Sequence, residues 1–169
     1  MIAAIRSDFD VLDDGSTFER LNNRGLHALV AYRLARVCWQ RRIPLVAQLL
    51  TRAVQIVYGI DISWRAKLGP GITIFHGVGL VVGPGAEIGA GSVLYNGVTI
   101  GAIDYHKQSR LPKLGERVVV YCGAKVLGNI TVGDDVVVGA NAVVLKNIPD
   151  NCSAVGIPAR AISKAPRES

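Results

Sequence analysis

Residues 114–144 read LGERVVVYCGAKVLGNITVGDDVVVGANAVV. An aliphatic residue stands at every sixth position of this stretch, at Leu114, Val120, Val126, Val132, Val138 and Val144. Glycine follows directly in Leu114-Gly115, Val132-Gly133 and Val138-Gly139. A period of six matches neither an α-helix nor a half-buried strand, whose periods are about 3.6 and about two. It is the period of a parallel β-helix, in which each hexad supplies one short strand and one corner. The aliphatic side chain points inward and stacks on its equivalent in the next coil. A sandwich of short strands is excluded, because it needs period-two alternation with a turn roughly every ten residues.

The pattern extends toward the N-terminus. Ile62, Leu68 and Ile74 keep the period, a two-residue phase shift follows, and Val82, Ile88, Leu94 and Ile100 resume it. Small or aliphatic residues recur at the fifth position, as at Val98. Three hexads per coil make a triangular prism, with stacked positions about 18 residues apart. The glycines of the second slot, such as Gly69, Gly83, Gly89 and Gly101, are expected at corners that require positive φ. Residues 102–112, AIDYHKQSRLP, break the period and are mostly polar. They are expected to project from one corner as a loop, the usual place for substrate contacts on a rigid scaffold.

Ahead of the repeats the spacing is helical. Leu26, Leu29, Val30, Leu34 and Val37 form one stripe, Pro44 marks a break, and residues 45–58 supply a second helix. Asp13-Asp14-Gly15-Ser16 is a turn signal. The expected class is therefore mainly β, a parallel β-helix of hexapeptide repeats with a small N-terminal helical cap and one projecting loop. The divisions are a helical segment over 1–59, a β-helix over 60–162 and a tail over 163–169.

Composition narrows the function classes. The chain has 169 residues, is half hydrophobic and carries 19 Lys+Arg against 13 Asp+Glu, a formal charge of +6. That apolar fraction excludes a disordered chain. No secretory leader and no apolar run long enough to span a bilayer is visible. Residues 26–58 come nearest, but Arg33, Arg36, Arg41, Arg42 and Arg52 interrupt them. Those arginines raise the weaker possibility of a basic helix resting on an anionic membrane or nucleic acid, against the simpler reading of a solvated helix face. No basic run is dense enough to track phosphates, so nucleic acid is not an expected partner. Cys38, Cys122 and Cys152 are odd in number and form no CxxC, which argues against a disulfide framework or a zinc site and for a reducing, cytoplasmic setting.

Several motifs together carry a resemblance. They are Leu26-His27-Ala28-Leu29-Val30-Ala31-Tyr32-Arg33, Asp61-Ile62, Lys67-Leu68-Gly69-Pro70-Gly71-Ile72, Phe75-His76-Gly77-Val78-Gly79, Gly123-Ala124-Lys125-Val126-Leu127-Gly128-Asn129-Ile130 and Gly156-Ile157-Pro158-Ala159-Arg160. With these motifs the chain resembles the serine acetyltransferase family of left-handed β-helix acyltransferases. The resemblance implies acetyl-CoA as co-substrate and a homotrimer with active sites between subunits. It further implies His76 as the general base and Asp61 as the carboxylate that orients its imidazole. For CoA it points to the stacked positions Cys122 and Ala140, with Lys146 and Arg160 meeting the phosphates.

The acceptor site departs from the family. Phe75 stands where the family has Asp, and Arg110-Leu111-Pro112 where it has Arg-His-Pro. Arg110 and loop residue His106 remain candidate acceptor contacts with Phe75, and a further carboxylate falls at Asp8 or Asp10. Against the much longer helical domain of the full-length enzymes this chain is expected to offer only residues 1–59, and no counterpart of the tail that docks into cysteine synthase is evident in residues 164–169. Losing an Asp and a His removes groups suited to an amino acid's ammonium and carboxylate. The expectation is therefore the short serine-acetyltransferase-like type associated with exopolysaccharides, O-acetylating a sugar or glycan hydroxyl. L-serine is the alternative acceptor, and a non-catalytic scaffold the minor alternative.

The chemistry fits these residue types. A hydroxyl attacking a thioester needs a base, and histidine's ordinary pKa of about 6.5 suits the task. A carboxylate beside it fixes the tautomer and offsets the imidazolium charge. Asp61 and His76, 15 residues apart, are expected in adjacent coils. His27 is expected to be structural, and Cys122 to pack within a coil. A γ-type carbonic anhydrase would need three zinc-binding histidines, and the repeats hold only His76 and His106, so no metal is expected.

Overall fold

The computed structural model describes residues 1–12, 18, 20, 22–104 and 111–164. Among the described residues the helices ahead of the repeats are α1 (Ile2–Asp10), α2 (Arg24–Gln40) and α3 (Pro44–Tyr58). The Asn23 side chain caps α2 by accepting the Leu26 N–H, satisfying one of the orphan donors of a helix start. Pro44 takes the first helical position of α3, where its missing N–H costs nothing. Gly59 closes that helix in the left-handed conformation and delivers the chain into the prism.

The prism has three faces of parallel strands, two or three residues long in the coils. Face A stacks β1 (Asp61–Ile62), β4 (Val81–Val82), β7 (Thr99–Gly101), β10 (Lys125–Leu127) and β13 (Val143–Val144). Face B stacks β2 (Lys67–Leu68), β5 (Glu87–Ile88), β8 (Lys113–Leu114) and β11 (Thr131–Val132). Face C stacks β3 (Thr73–Phe75), β6 (Val93–Tyr95), β9 (Val119–Val120), β12 (Val137–Val138) and β14 (Cys152–Gly156); β15 (Ala159–Ser163) pairs antiparallel with β14. The aliphatic residue of every hexad from Ile62 to Val144 is buried, as the period predicts. The fifth-position residues, among them Ile60, Leu80 and Val98, form a second inward set.

The coils are not equal in length. Asp61 pairs with Val81, 20 positions on, whereas Lys113 pairs with Thr131 and Val119 with Val137, 18 positions on. The extra two residues of the first coil lie in the corner after β3. Glu87 pairs with Lys113 across the 102–112 interruption. The end of that interruption already belongs to the prism: Leu111 packs against the core and the buried Pro112 accepts the Glu87 N–H. Residues 105–110, with candidates His106 and Arg110, lie outside the described residues, as does the tail over 165–169.

The second-slot glycines have a different reason from the expected one. Gly69 does not adopt positive φ. A Cβ there would stand 2.6 Å from the Ala90 nitrogen of the next coil, so the glycine is required by close stacking. Positive φ falls two residues later in the corner, and Arg117, Asp135 and Asn141 also adopt it. These corners thus tolerate a side chain, while the close-packed slot at Gly69 and Gly89 does not.

The helices close the N-terminal end of the prism. Ala28, Leu29 and Tyr32 of α2 join the cluster of Ile60, Ile62, Ile72 and Ile74. The Tyr32 hydroxyl donates to the Ala66 carbonyl and accepts the Leu68 N–H. Arg33 donates to Asp8 and to the Leu68 and Gly69 carbonyls, and Asp8 also accepts the Ile72 N–H. One buried ion pair therefore ties α1, α2 and the first coil together.

Candidate active site

The lengthened corner carries His76. Within His76-Gly77-Val78-Gly79, three residues adopt positive φ: His76 at 61°, Gly77 at 70° and Gly79 at 75°. Positive φ costs a non-glycine residue energy; His76 shares it with the corner residues Arg117, Asp135 and Asn141, and differs from them in standing in the lengthened corner. The knot turns the imidazole outward, where it is exposed. The phase shift visible in the sequence and the strained histidine are the same two-residue insertion. A Cβ on Gly77 would stand 2.5 Å from Cδ1 of Ile60, besides the φ penalty. Gly77→Ala is expected to lower the unfolding free energy by about 2 kcal/mol, measurable by denaturant titration.

Register builds a column beneath this histidine. Ile74 and Phe75 pair with Leu94 and Tyr95, Leu94 pairs with Val120, and Val120 with Val138. The residues that turn the same corner, between faces C and A, are therefore His76, Asn96, Cys122 and Ala140. The Asn96 carbonyl accepts the Gly123 N–H and the Cys122 carbonyl the Asn141 N–H, each at 2.9 Å. Cys122 is exposed in this column and does not pack within a coil as expected, because a corner residue points away from the core.

Asp61 and His76 belong to the same coil, not to adjacent ones. Asp61 opens the first coil in β1, and His76 stands in the corner that closes it. The Asp61 N–H donates to the Leu80 carbonyl, just past the His76 corner. Its carboxylate accepts from the Gln55 side chain of α3 at 3.3 Å and makes no hydrogen bond to His76 among the described residues. Gln55 in turn accepts from Arg52. The two groups therefore flank a shared corner without being engaged.

Phe75 is 41% exposed on the outer side of face C. Its ring lies 5.2 Å from Tyr95, and Tyr95 lies 5.0 Å from Tyr121, giving an aromatic ladder beside the His76 column. Tyr95 and Tyr121 escaped the sequence reading. The available signal was an aromatic residue directly after the inward aliphatic, in Ile74-Phe75, Leu94-Tyr95 and Val120-Tyr121. Lys125 was also missed; from face A it donates to the Gly97 carbonyl at the same corner.

Two carboxylate candidates separate cleanly. Asp8 is 1% exposed with both oxygens bonded, so the expectation that it touches substrate is corrected: it is a structural partner of Arg33. Asp10 is exposed at the end of α1, 3.9 Å from Arg6. Both belong to a helix docked near Gly71 and Ile72, at the far end of β3 from His76. His27 is structural, its Nδ1 2.9 Å from the Tyr58 hydroxyl.

Lys146 and Arg160 line one pocket of about 550 Å³, formed where the turn after β13 meets β15. Paired cations beside such a pocket fit a phosphate-bearing ligand. This pocket lies at the corner between faces A and B, on a different edge from the Cys122–Ala140 column expected to border the pantetheine. The 102–112 interruption leaves the prism at that same A–B corner. Along the axis the pocket is a little over three coil steps from His76, about 16 Å. Among the described residues no group of three or more metal-ligating side chains converges.

Comparison with known proteins agrees with this architecture. The model of the bacterial transferase hexapeptide family (six repeats) matches residues 112–146. A serine acetyltransferase of Helicobacter pylori is 49% identical over 140 residues, covering 83% of this chain and 82% of that protein. One from Mycobacterium tuberculosis is 40% identical over 141 residues, covering 83% and 62%. Soybean serine acetyltransferase apoenzyme superposes with a TM-score of 0.89 at 34% identity, over 94% of this chain and 67% of that one. Serine acetyltransferase from Brucella abortus in complex with coenzyme A gives 0.90 at 32%, over 96% and 68%. The chain thus spans about two-thirds of these longer solved proteins. With its repeat prism, its helical cap and relatives this similar over most of its length, the chain belongs to the serine acetyltransferase family and is an acyltransferase.

Proposed function

We propose that the enzyme moves the acetyl group of acetyl-CoA to the hydroxyl of L-serine, with His76 as general base. The observation that carries the reading is the lengthened corner, where His76 is held outward at a φ of 61°. The relatives' names support serine as acceptor over the sugar expected from the sequence. Acetyl-CoA supplies the acyl group already activated as a thioester. His76 accepts the hydroxyl proton as the acceptor oxygen attacks the carbonyl carbon. It then returns that proton to the sulfur as the carbon–sulfur bond breaks. Asp61 stabilises the imidazolium formed between these two events. Lys146 and Arg160 bind the phosphates, and Cys122 and Ala140 border the pantetheine path.

The active unit is a homotrimer in this reading. His76 and its column occupy the C–A corner, whereas Lys146, Arg160 and the two described ends of the 102–112 interruption lie at the A–B corner. Two prisms side by side bring one corner of each to a common groove, so that neighbouring copies complete one site. Arg110 is the remaining charged candidate for the serine carboxylate.

One observation favours the second reading, a sugar or glycan hydroxyl as in the short exopolysaccharide-associated members of the family. Phe75, beside His76, is apolar and continues into the Tyr95–Tyr121 ladder, and Leu111 packs against the prism core. Aromatic faces of this kind suit the C–H face of a sugar ring better than an ammonium–carboxylate pair. Following CoA release with L-serine and with nucleotide- or lipid-linked sugars separates the two. Turnover at least about tenfold higher with L-serine is expected; a sugar that outperforms it replaces the first reading with the second.

A further inference from the structure

We propose that the helical cap docks on an anionic phospholipid surface through the outer face of α3. Residues 20–60 hold seven arginines and no carboxylate. Arg33 and Arg36 are spent on Asp8 and on main-chain carbonyls of the first coil. Arg24, Arg41, Arg42 and Arg52 are exposed. The α2–α3 turn joins Arg41 and Arg42 to exposed Ile43.

From that turn runs an apolar stripe. Leu45, Leu49 and Ile56 are 66%, 60% and 77% exposed. Their spacing, with Arg52 three residues after Leu49, puts all four on one side of the helix. The opposite side is used by Ala47, which is buried, and by Val54 and Tyr58, which pack on the prism core. Exposed Trp39, 4.8 Å from the Arg65 guanidinium, stands in the last turn of α2 just ahead of Arg41. A helix with large apolar residues on one side, arginines at its margin and tryptophan nearby has the make-up of an interfacial helix, which buries its apolar face at the headgroup–acyl boundary.

Charge decides the occupant. A second copy meeting this face symmetrically would set Arg52 near Arg52, and in a heterologous trimer contact α2 and α3 of a neighbour still offer no carboxylate to receive the arginines. Anionic headgroups complement the arginines, and acyl chains cover the leucines and isoleucine. Nucleic acid would leave the apolar stripe in water. The inference does not depend on which acceptor the enzyme uses.

The test is sedimentation of the full chain with vesicles of phosphatidylglycerol and phosphatidylethanolamine, against pure phosphatidylcholine. Binding to the anionic vesicles is expected, weakening as sodium chloride is raised. Leu45→Glu with Leu49→Glu should reduce it at least about tenfold, and Arg41→Glu with Arg42→Glu likewise. The melting temperature and turnover of a soluble acceptor should stay unchanged, because none of these side chains touches the core or the His76 corner. Equal binding to both vesicle types, no binding, or undiminished binding by the variants overturns the proposal. So does a fall in particle mass on introducing the glutamates, which would assign the face to a second copy of the chain.

Discussion

His76→Ala should lower kcat by about 10²–10⁴-fold while the protein melts as before and still binds CoA. Nothing in the core rests on the imidazole: it is exposed and makes no hydrogen bond among the described residues. The loss should fall on kcat, because the proton transfer occurs only as the hydroxyl attacks. His76→Gly sharpens the point. Glycine accepts the left-handed conformation that histidine holds at 61°, so this variant should equal or exceed the wild type in stability by up to about 1 kcal/mol. It should be as inactive as the alanine variant. A site that gains stability while losing activity is one where strain is kept for function. Turnover is read by CoA release and stability by thermal melting. Activity that survives His76→Ala and disappears with His106→Ala would move the base to the loop.

Arg33→Ala should produce the largest loss of stability, about 3–5 kcal/mol, or roughly 10 °C in melting temperature. Arg33 is buried and donates to Asp8 on α1 and to the Leu68 and Gly69 carbonyls at one corner of the first coil. Removing it strands a buried carboxylate and two carbonyls at once. Asp8→Ala should cost a similar amount, because it strands the guanidinium and the Ile72 N–H. The pairwise term can be isolated. Arg33→Met with Asp8→Leu removes both charges and should recover much of the loss of either single change. Equal losses in the double and single variants would show that packing, and not the stranded charge, dominates. Since the helices attach to the coil that carries His76, the single variants should also show reduced turnover well below their melting temperature.

Much of the fold was legible because a β-helix writes each inward contact as a period. Leu114 to Val144 repeat at six because every hexad must bury one aliphatic side chain against the same position one coil away. The break of the period at Ile74–Val82 was equally legible, and it turned out to be the corner that carries His76. The reason for the repeat glycines was not. Gly69 is fixed by the approach of Ala90 in the next coil, a contact between chain segments that no local pattern reports. The site was only partly legible. Phe75 was visible as a departure, but its stacking on Tyr95 and Tyr121 depends on registers of 20 and 26 residues set by the corner insertion and the 102–112 loop.

The sequence by itself determined the prism, its helical cap and the histidine at the irregular corner, since periodicity and glycine placement are properties of neighbouring residues. Only the tertiary structure decided which corner each candidate occupies. It took Asp8 out of the acceptor site by burying it with Arg33, and it placed Asp61 in the same coil as His76 beside Gln55. It also set the Lys146–Arg160 pocket on a different edge from the Cys122–Ala140 column. The physical reason is that a coil fixes the stacking of its own residues, whereas the meeting of distant groups depends on how many residues each corner inserts and on how the helices cap the prism.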